Sequence, residues 1–328
     1  MKLRVAHVGA GEWSRYAHGP ALQGLAQQDR VSLELICDRD IERARHFRDL
    51  FGYRLASNNI HSMLDDVQPD AIVCTVQPSN TFELVQSLLP LQIPLLIEKP
   101  PGISAFEAKA LAATSIANRT FTFVAFNRRF IPSIVRLKQW SAQHPIFFAR
   151  AEMLRTNRLE SEFVTATGIH ALDAIRFLMG DPEFIEVRSR PHDNSLASDY
   201  WIRLTFSNSA AAEISLMLNT GLRRESYLLT GSGTAAEATL GDPYSTDLSF
   251  QGDRLWSQEE IVEQHTLADD SLINGGILGE YEEFIRLLEA GEPSTCSLTD
   301  AAYSMQLAEA VQNDYSGPFP PMSSGNAS

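Results

Sequence analysis

The hydrophobic positions of the first part of the chain fall into short apolar runs separated by longer mixed segments. LRVAHV at 3–8 is short and bounded by a glycine turn. It reads as a strand with Leu3 and Val5 buried and Ala6 and Val8 as further core positions. VSLELIC at 31–37 reads as a second strand, and DAIVCTV at 70–76 as one covered on both faces. IPLLIEKPPG carries the next strand and FTFVAFN at 121–127 another. The segment after the first turn is helix-compatible but interrupted at Gly19–Pro20. IERARHFRDLFG at 41–52 reads as a helix closed by Gly52, and TFELVQSLLPL as a helix ending at Pro90. Strands alternating with helices predict a mostly parallel sheet with right-handed crossovers, and such sheets bind ligands beyond the carboxyl ends of their strands.

From residue 146 the pattern changes. IFFARAEML, EFIEVRSRP, DYWIRLTF, AAAEISLML and ESYLLTGS alternate between apolar and polar, as strands with one covered and one exposed face do. The imperfect alternation of AAAEISLML marks the exposed face as a candidate oligomer contact. GSGTAAEA suits a hairpin. A polar loop, TNRLESEFVTAT, leads into a helix carrying His170, with Thr167 as the expected N-cap. ILGEYEEFIRLLEAGEP is an amphipathic helix with Ile277, Tyr281, Phe284, Ile285 and Leu288 as its apolar stripe. SLTDAAYSMQLAEAVQND is another, capped by Ser297 or Thr299.

Composition narrows the function classes. With 328 residues, 44% hydrophobic and 21% charged, the chain has ordinary globular chemistry and room for about two domains. Its formal charge of −14 repels nucleic acid and anionic membranes, so neither is an expected partner. No apolar run approaches the roughly 20 residues that cross a bilayer. MKLRVAHVGAGEW leads straight into a strand without the features of a signal peptide, so the expected location is the cytoplasm. Cys37, Cys74 and Cys296 read as buried free thiols of a reducing compartment, and their spacing offers no metal site.

The candidate chemistry gathers at the expected strand ends. GAGEWS places Gly9 and Gly11 at the first two positions of a dinucleotide fingerprint, with Glu12 and Trp13 following and Ser14 where the third glycine would stand. Gly9 permits the tight turn, and Gly11 removes the side chain that would block a pyrophosphate. Asp38, at the end of the second strand, can accept both ribose hydroxyls. It lies 27 residues beyond Gly11, later than the usual ~20, and the His18–Gly19–Pro20 break absorbs the extra length. Arg39 can stack on adenine or neutralise a 2′-phosphate, so Asp38 argues for NAD while Arg39 keeps NADP open. Thr75, Pro78, Glu98, Lys99 and Asn127 stand at or just beyond the following strand ends. Lysine at the end of an interior strand is unusual unless it faces a ligand, and an ammonium at Lys99 can hydrogen-bond a hydroxyl or carbonyl or exchange a proton with it. The sequence holds no repeats, zinc spacing or GxSxG elbow.

Five pieces in this order resemble the glucose–fructose oxidoreductase and inositol dehydrogenase family (Gfo/Idh/MocA): VAHVGAGEWSRYAHGPAL at 5–22, LICD at 35–38, IEKP at 97–100, FNRRFIP at 126–132 and GIHALDAIRFLMG at 168–180. The resemblance implies an α/β protein in which an N-terminal Rossmann parallel sheet precedes an α+β domain with an open, mostly antiparallel sheet. The expected partition is a dinucleotide-binding domain at 1–127, a substrate and oligomerisation domain at 128–315 and a flexible tail at 316–328. It implies that Lys99 hydrogen-bonds the reacting sugar oxygen and that His170 is the second polar group at the reacting centre. Arg128 and Arg129 match a basic pair, one of which works near the cofactor or the domain junction. Arg155, Asn157 and Arg158 are candidate contacts to a hydroxylated or anionic substrate. The implied activity is NAD(P)-dependent oxidation of a secondary hydroxyl of a sugar, sugar derivative or cyclic polyol, or the reverse reduction, in a homodimer or homotetramer. Two departures stand out. Ala166 occupies the place of an aspartate four residues before the histidine, and Thr81 the place of a histidine. Asp173, three residues after His170, can pair with its imidazole or bond elsewhere. An enzyme that retains NAD through an elimination, and a non-catalytic dinucleotide-binding regulator, are the alternative readings.

Overall fold

In the computed structural model, which describes residues 2–193, 195–240, 252–258, 260–266 and 270–319, the first apolar run is β1, Leu3–Val8. It is joined by β2 (Val31–Cys37), β3 (Leu55–Ser57), β4 (Ala71–Cys74), β5 (Leu95–Glu98) and β6 (Thr122–Ala125) in one sheet of order β3-β2-β1-β4-β5-β6. Every pairing in it is parallel. The strand order therefore reverses between β1 and β4, where an open parallel sheet leaves a crevice at its carboxyl edge. β4, β5 and β6 are buried at every position, because helices cover both faces and leave no solvent side for a polar residue to occupy. The three-residue edge strand β3 carries no alternation long enough to read from sequence.

The interruption expected at Gly19–Pro20 is absent. A π-helical turn, Ser14–His18, runs directly into the helix Gly19–Gln27. A proline ring inside a regular helix clashes with the carbonyl four residues back, and the wider π turn gives it room. Gly19 is required for a different reason: a Cβ there would lie 2.5 Å from the Phe51 ring. The long spacing from Gly11 to Asp38 is thus taken up by continuous helix rather than by a break. Gly52 closes the helix Ile41–Phe51 at φ +83°, as its position implies.

Contacts divide the chain into two units, Met1–Phe126 with Ile277–Ala302, and Asn127–Gly276 with Tyr303–Ser328. The partition expected from sequence is continuous; the observed first unit is not, because the helix Ile277–Ala290 belongs with the parallel sheet. Its buried stripe is Ile277, Tyr281, Phe284, Ile285 and Leu287, so Leu287 takes the core position expected of Leu288. Ser297 is the cap of the last helix, accepting the N–H of Asp300 at 3.3 Å.

Among the described residues of the second unit, nine strands form one open sheet. They are β7 (Ile146–Leu154), β8 (Phe184–Pro191), β9 (Ser198–Thr205), β10 (Ala211–Met217), β11 (Arg224–Gly231), β12 (Thr234–Thr239), β13 (Gly252–Ser257), β14 (Glu260–Thr266) and β15 (Gly317–Pro318). The order is β14-β13-β12-β11-β7-β10-β9-β8-β15, and only β7 and β10 run parallel. Ala149, Ala151, Met153, Ile202, Leu204, Ile214 and Leu216 fill one face, which the helix Ile169–Met179 covers at β7 and β10 while Pro132–Ser141 packs on β12 and β13. Trp201 and Phe184 stand on the opposite face among Arg150, Arg203 and Glu213. The expected tail from 316 begins with β15 paired to β8 and a buried Phe319; its remainder, 320–328, lies outside the described residues.

Candidate functional site

The turn after β1 is shaped by two glycines with different tasks. Gly9 adopts φ +108°, and a Cβ on it would lie 2.5 Å from the Thr75 carbonyl oxygen, so β1 and β4 approach there only as glycine allows. A Cβ on Gly11 would meet nothing within 4 Å. Gly11 instead opens onto a cavity of about 690 Å³, whose lining includes Gly9, Asp38, Arg39, Arg43, Thr75 and Asn80. A backbone cradle with space above Gly11, at the carboxyl edge where the strand order reverses, fits a dinucleotide pyrophosphate. Of the other expected cofactor contacts, Glu12, Trp13, Ser14, Pro78, Glu98 and Lys99 do not line this cavity. Pro78 starts the helix Pro78–Leu88 beside it.

Asp38 is held from two sides. One carboxylate oxygen accepts the Ala10 N–H at 2.9 Å and the other the Asp40 N–H at 3.0 Å, which ties the end of β2 to the glycine turn. Arg39 is exposed at the rim. Arg43, one turn into the helix capped by Asp40, brings a second guanidinium to 3.9 Å from Asp38. Sequence reading passed over Arg43, although its place in the first turn after Asp38 was the available signal.

Beneath the turn lies a polar chain that the apolar look of LRVAHV hid. His7 is fully buried, with Nδ1 2.9 Å from the Tyr53 hydroxyl and Nε2 2.8 Å from Thr75 Oγ1 and 3.0 Å from Ser14 Oγ. Ser14 and Thr75 both donate to the Gly9 carbonyl, at 2.7 and 2.9 Å. A carbonyl only accepts, so both hydroxyl protons point at Gly9, Nε2 donates to the hydroxyl oxygens, and Tyr53 donates to Nδ1. Burial, aided by the nearby His18, holds His7 well below the usual histidine range and keeps it neutral for this role. Ser14 is thus a hydrogen-bonding anchor of the turn as well as a small residue. Ser14→Ala is expected to raise the Kd for NADH about fivefold, the equivalent of the ~1 kcal/mol of one hydrogen bond. Fluorescence titration measures it, and an unchanged Kd would show that the turn holds its shape without the serine.

β5 ends at Glu98, and the Lys99–Pro100 bond that follows is cis. Lys99 is half-buried. Glu98 Oε1 accepts the Trp13 indole N–H at 2.7 Å and the His18 Nε2–H at 2.8 Å, and His18 Nδ1 lies 2.8 Å from the Tyr281 hydroxyl. Burial pushes the Glu98 carboxyl up, but His18, the Lys99 charge and Trp13 more than offset this and hold it below the ordinary carboxylate value. Glu98, the residue before Lys99, is therefore an ionised hub reached by Trp13 from the glycine turn and by His18. Neither His18 nor Tyr281 was singled out for this chemistry from sequence.

In the second unit, several expected contacts are drawn into one buried cluster. Arg128 donates from Nε and Nη2 to Glu225, both at 3.2 Å, and from Nη1 to Asn127 Oδ1 at 3.2 Å. Arg155 is 4% exposed; Nη1 donates to the Leu154 and Arg224 carbonyls at 3.0 and 3.1 Å, and Nη2 to Glu225. Tyr227 donates to the same carboxylate at 2.8 Å. Asn127 Nδ2 donates to the Gly275 carbonyl at 2.7 Å. Asn127 and Arg128, expected at the cofactor, and Arg155, expected at the substrate, thus all make hydrogen bonds within this cluster. The buried Arg155 and the part-buried Arg128 share one carboxylate, which Glu225 supplies. Asn157 keeps an exposed side chain at φ +53°.

His170 is 4% exposed, just after a second π-helical turn, Val164–Gly168, which contains Ala166. Thr167 lies inside that turn and is not a cap; its hydroxyl accepts from Arg158 at 2.9 Å. Asp173 does not serve His170. Its carboxylate takes Arg129, itself buried, at 2.8 and 2.6 Å and Ser304 at 2.7 Å. Among the described residues, no cluster of three or more His, Cys, Asp or Glu side chains forms a metal site, and no helix is long and apolar enough to cross a membrane.

Comparison with known proteins agrees with this geometry. Residues 3–126 match the profile described as an oxidoreductase family with an NAD-binding Rossmann fold, and residues 155–317 match that family's C-terminal alpha/beta domain. An inositol 2-dehydrogenase of Saccharopolyspora erythraea is 25% identical over 65% of this chain and 63% of its own length. A myo-inositol 2-dehydrogenase of Thermotoga maritima is 21% identical over 88% of this chain and 90% of its own length. The fold is shared with an oxidoreductase from Agrobacterium radiobacter solved with NAD+, L-tartaric acid and magnesium, at a TM-score of 0.77 and 20% identity over 96% of each chain. With both domain profiles matched in order and a glycine cradle built for a dinucleotide, the chain belongs to the Gfo/Idh/MocA family of NAD-binding oxidoreductases.

Proposed function

We propose that this protein transfers a hydride between a nicotinamide dinucleotide and a secondary hydroxyl or ketone of a sugar, sugar derivative or cyclic polyol. The observation that carries the reading is the placement of Lys99 directly after β5, beside an ionised carboxylate, on the same sheet that carries the glycine cradle. The two inositol dehydrogenases among the relatives support the substrate class. When bound, the dinucleotide supplies the hydride acceptor or donor. Lys99 donates a hydrogen bond to the reacting oxygen and stabilises charge developing on it, and His170 exchanges its proton. The exposed Asn157 side chain contacts substrate hydroxyls. Position 166 holds alanine and Asp173 is bound to Arg129, so neither supplies the carboxylate that the family pattern places before the histidine. Purified protein with NAD+ or NADP+ and a panel of inositols, aldoses and keto-sugars tests the reading through absorbance of the reduced cofactor. Reduction on one of them supports it. Tight dinucleotide binding without net redox on any would favour the retained-cofactor or regulatory alternatives.

Asp38 aims its carboxylate at the rim of the cavity and accepts ribose hydroxyls, which favours NAD. Asp38→Ala is expected to raise the Kd for NADH about tenfold and that for NADPH by less, since Arg39 and Arg43 are then left to meet a phosphate. Titration of both cofactors decides it, and equal losses would remove Asp38 from the choice. The chain acts in the cytoplasm as a homodimer or homotetramer, and the assembly is supported by Trp201 and Phe184 exposed on the open sheet face.

A further inference from the structure

The carboxylate beside Lys99 is fixed by residues distant from it along the chain. His18 is fully buried at the end of the first π turn, and Tyr281 arrives from the helix Ile277–Ala290. The two hydrogen bonds of His18, 2.8 Å each, leave little freedom in how its protons are arranged. An ionised Glu98 only accepts, so Nε2 carries a proton. On its other side Nδ1 meets the Tyr281 hydroxyl, which keeps its proton because burial pushes it well above the usual phenol range. The result is a continuous chain, Tyr281 hydroxyl to His18 Nδ1 and His18 Nε2–H to Glu98. The Trp13 indole adds a second donor from the cofactor turn at 2.7 Å. A parallel chain, Tyr53 to His7, ends on the Gly9 carbonyl, and the centroids of the two imidazole rings lie 6.4 Å apart.

We propose that His18 and Tyr281 are positioning residues for Lys99: their chain anchors the Glu98 carboxylate beside it, so that Lys99 works as an ammonium, a charged hydrogen-bond donor to the reacting oxygen. The inference rests on the proposed role of Lys99. The titratable groups facing the chain are His7 from β1, Tyr53 from the loop after Ile41–Phe51, Glu280 from the helix of Tyr281, and Lys99 itself. A buried carboxylate deprived of its donor takes up a proton more readily, because burial alone opposes its charge. Lys99 then loses the neighbouring negative charge and gives up its own proton at lower pH.

The test is the pH profile of kcat for ketone reduction. In His18→Phe, which removes both bonds, the alkaline limb is expected to move down by about one pH unit, a tenfold change in ammonium population at a fixed pH. His18→Gln, whose amide can still donate to Glu98, restores most of the limb, and Tyr281→Phe moves it a smaller distance in the same direction. A readout independent of turnover is the imidazole ¹⁵N spectrum of His18 in the protein free of dinucleotide. It is expected to show protonation at Nε2, with Tyr281→Phe releasing Nδ1 from its donor. Tyr281→Phe preserves shape, and circular dichroism on each variant separates misfolding from the effect sought. A limb unmoved in the folded variants, or a neutral His18 protonated at Nδ1, overturns the proposal. Full turnover in Lys99→Ala overturns the role of Lys99 itself; lost turnover there with an unmoved limb in the His18 and Tyr281 variants overturns only the positioning chain.

Discussion

Lys99→Ala is expected to lower kcat about a thousandfold while changing the Kd for NADH less than about threefold. The asymmetry follows from where the residue stands. The cavity at the glycine turn is lined by Gly9, Gly11, Asp38 and Thr75, and Lys99 is not part of it, so dinucleotide binding keeps its donors and its space. What the variant loses is a charged donor to an oxygen whose charge changes during hydride transfer. Groups of that kind contribute about 10²–10⁴ in rate. Lys99→Arg keeps the charge but replaces a compact ammonium with a planar fork, and recovers only a small part of the loss. Steady-state kinetics with cofactor fluorescence on the same preparation checks both numbers. Parallel loss of cofactor affinity and turnover would make Lys99 a cofactor anchor.

Glu225→Gln is expected to destabilise the protein by about 3 kcal/mol at neutral pH, because it removes the buried carboxylate charge that Arg155 and Arg128 share. Burial alone would raise the Glu225 carboxyl, yet the two guanidinia bring it down from 4.5 to about 2. The unfolded chain therefore binds this proton before the folded one does as the solution is acidified. The contribution is fully present above about pH 4.5, declines as pH falls, and is gone below about pH 2. Denaturant melts of the wild type and Glu225→Gln at a series of pH values should converge across that window. Curves that stay parallel would show that the carboxylate does not stabilise the folded state through its charge.

The parallel sheet was legible in the chain because its information is local. A strand buried on both faces must be apolar throughout, as β4, β5 and β6 are, and such runs are visible one segment at a time. The glycine turn was legible for the same reason, since only glycine adopts φ +108° against the Thr75 carbonyl without strain. The charged residues of the second unit were not. Arg128, Arg129 and Arg155 each look like ligand contacts in sequence, and nothing in an arginine's neighbours along the chain names the carboxylate that will neutralise it. Glu225 is 97 residues from Arg128 and 70 from Arg155. Asp173, three residues after His170 on the same helix, bonds to Arg129 and Ser304, and so is not available to His170.

By itself, then, the sequence determined the two kinds of sheet, the dinucleotide turn and the placement of Lys99 at a strand end, all of which depend on periodicity or on a single residue's backbone freedom. Only the tertiary structure decided the rest: that helix runs unbroken through Gly19–Pro20 behind a π turn, and that the helix of Tyr281 joins the first unit. It also decided that His18, 80 residues from Glu98 and 263 from Tyr281, links the two by hydrogen bonds. Those outcomes depend on which buried polar groups the strand order brings within reach of one another, and a buried group must find its partner wherever along the chain that partner lies.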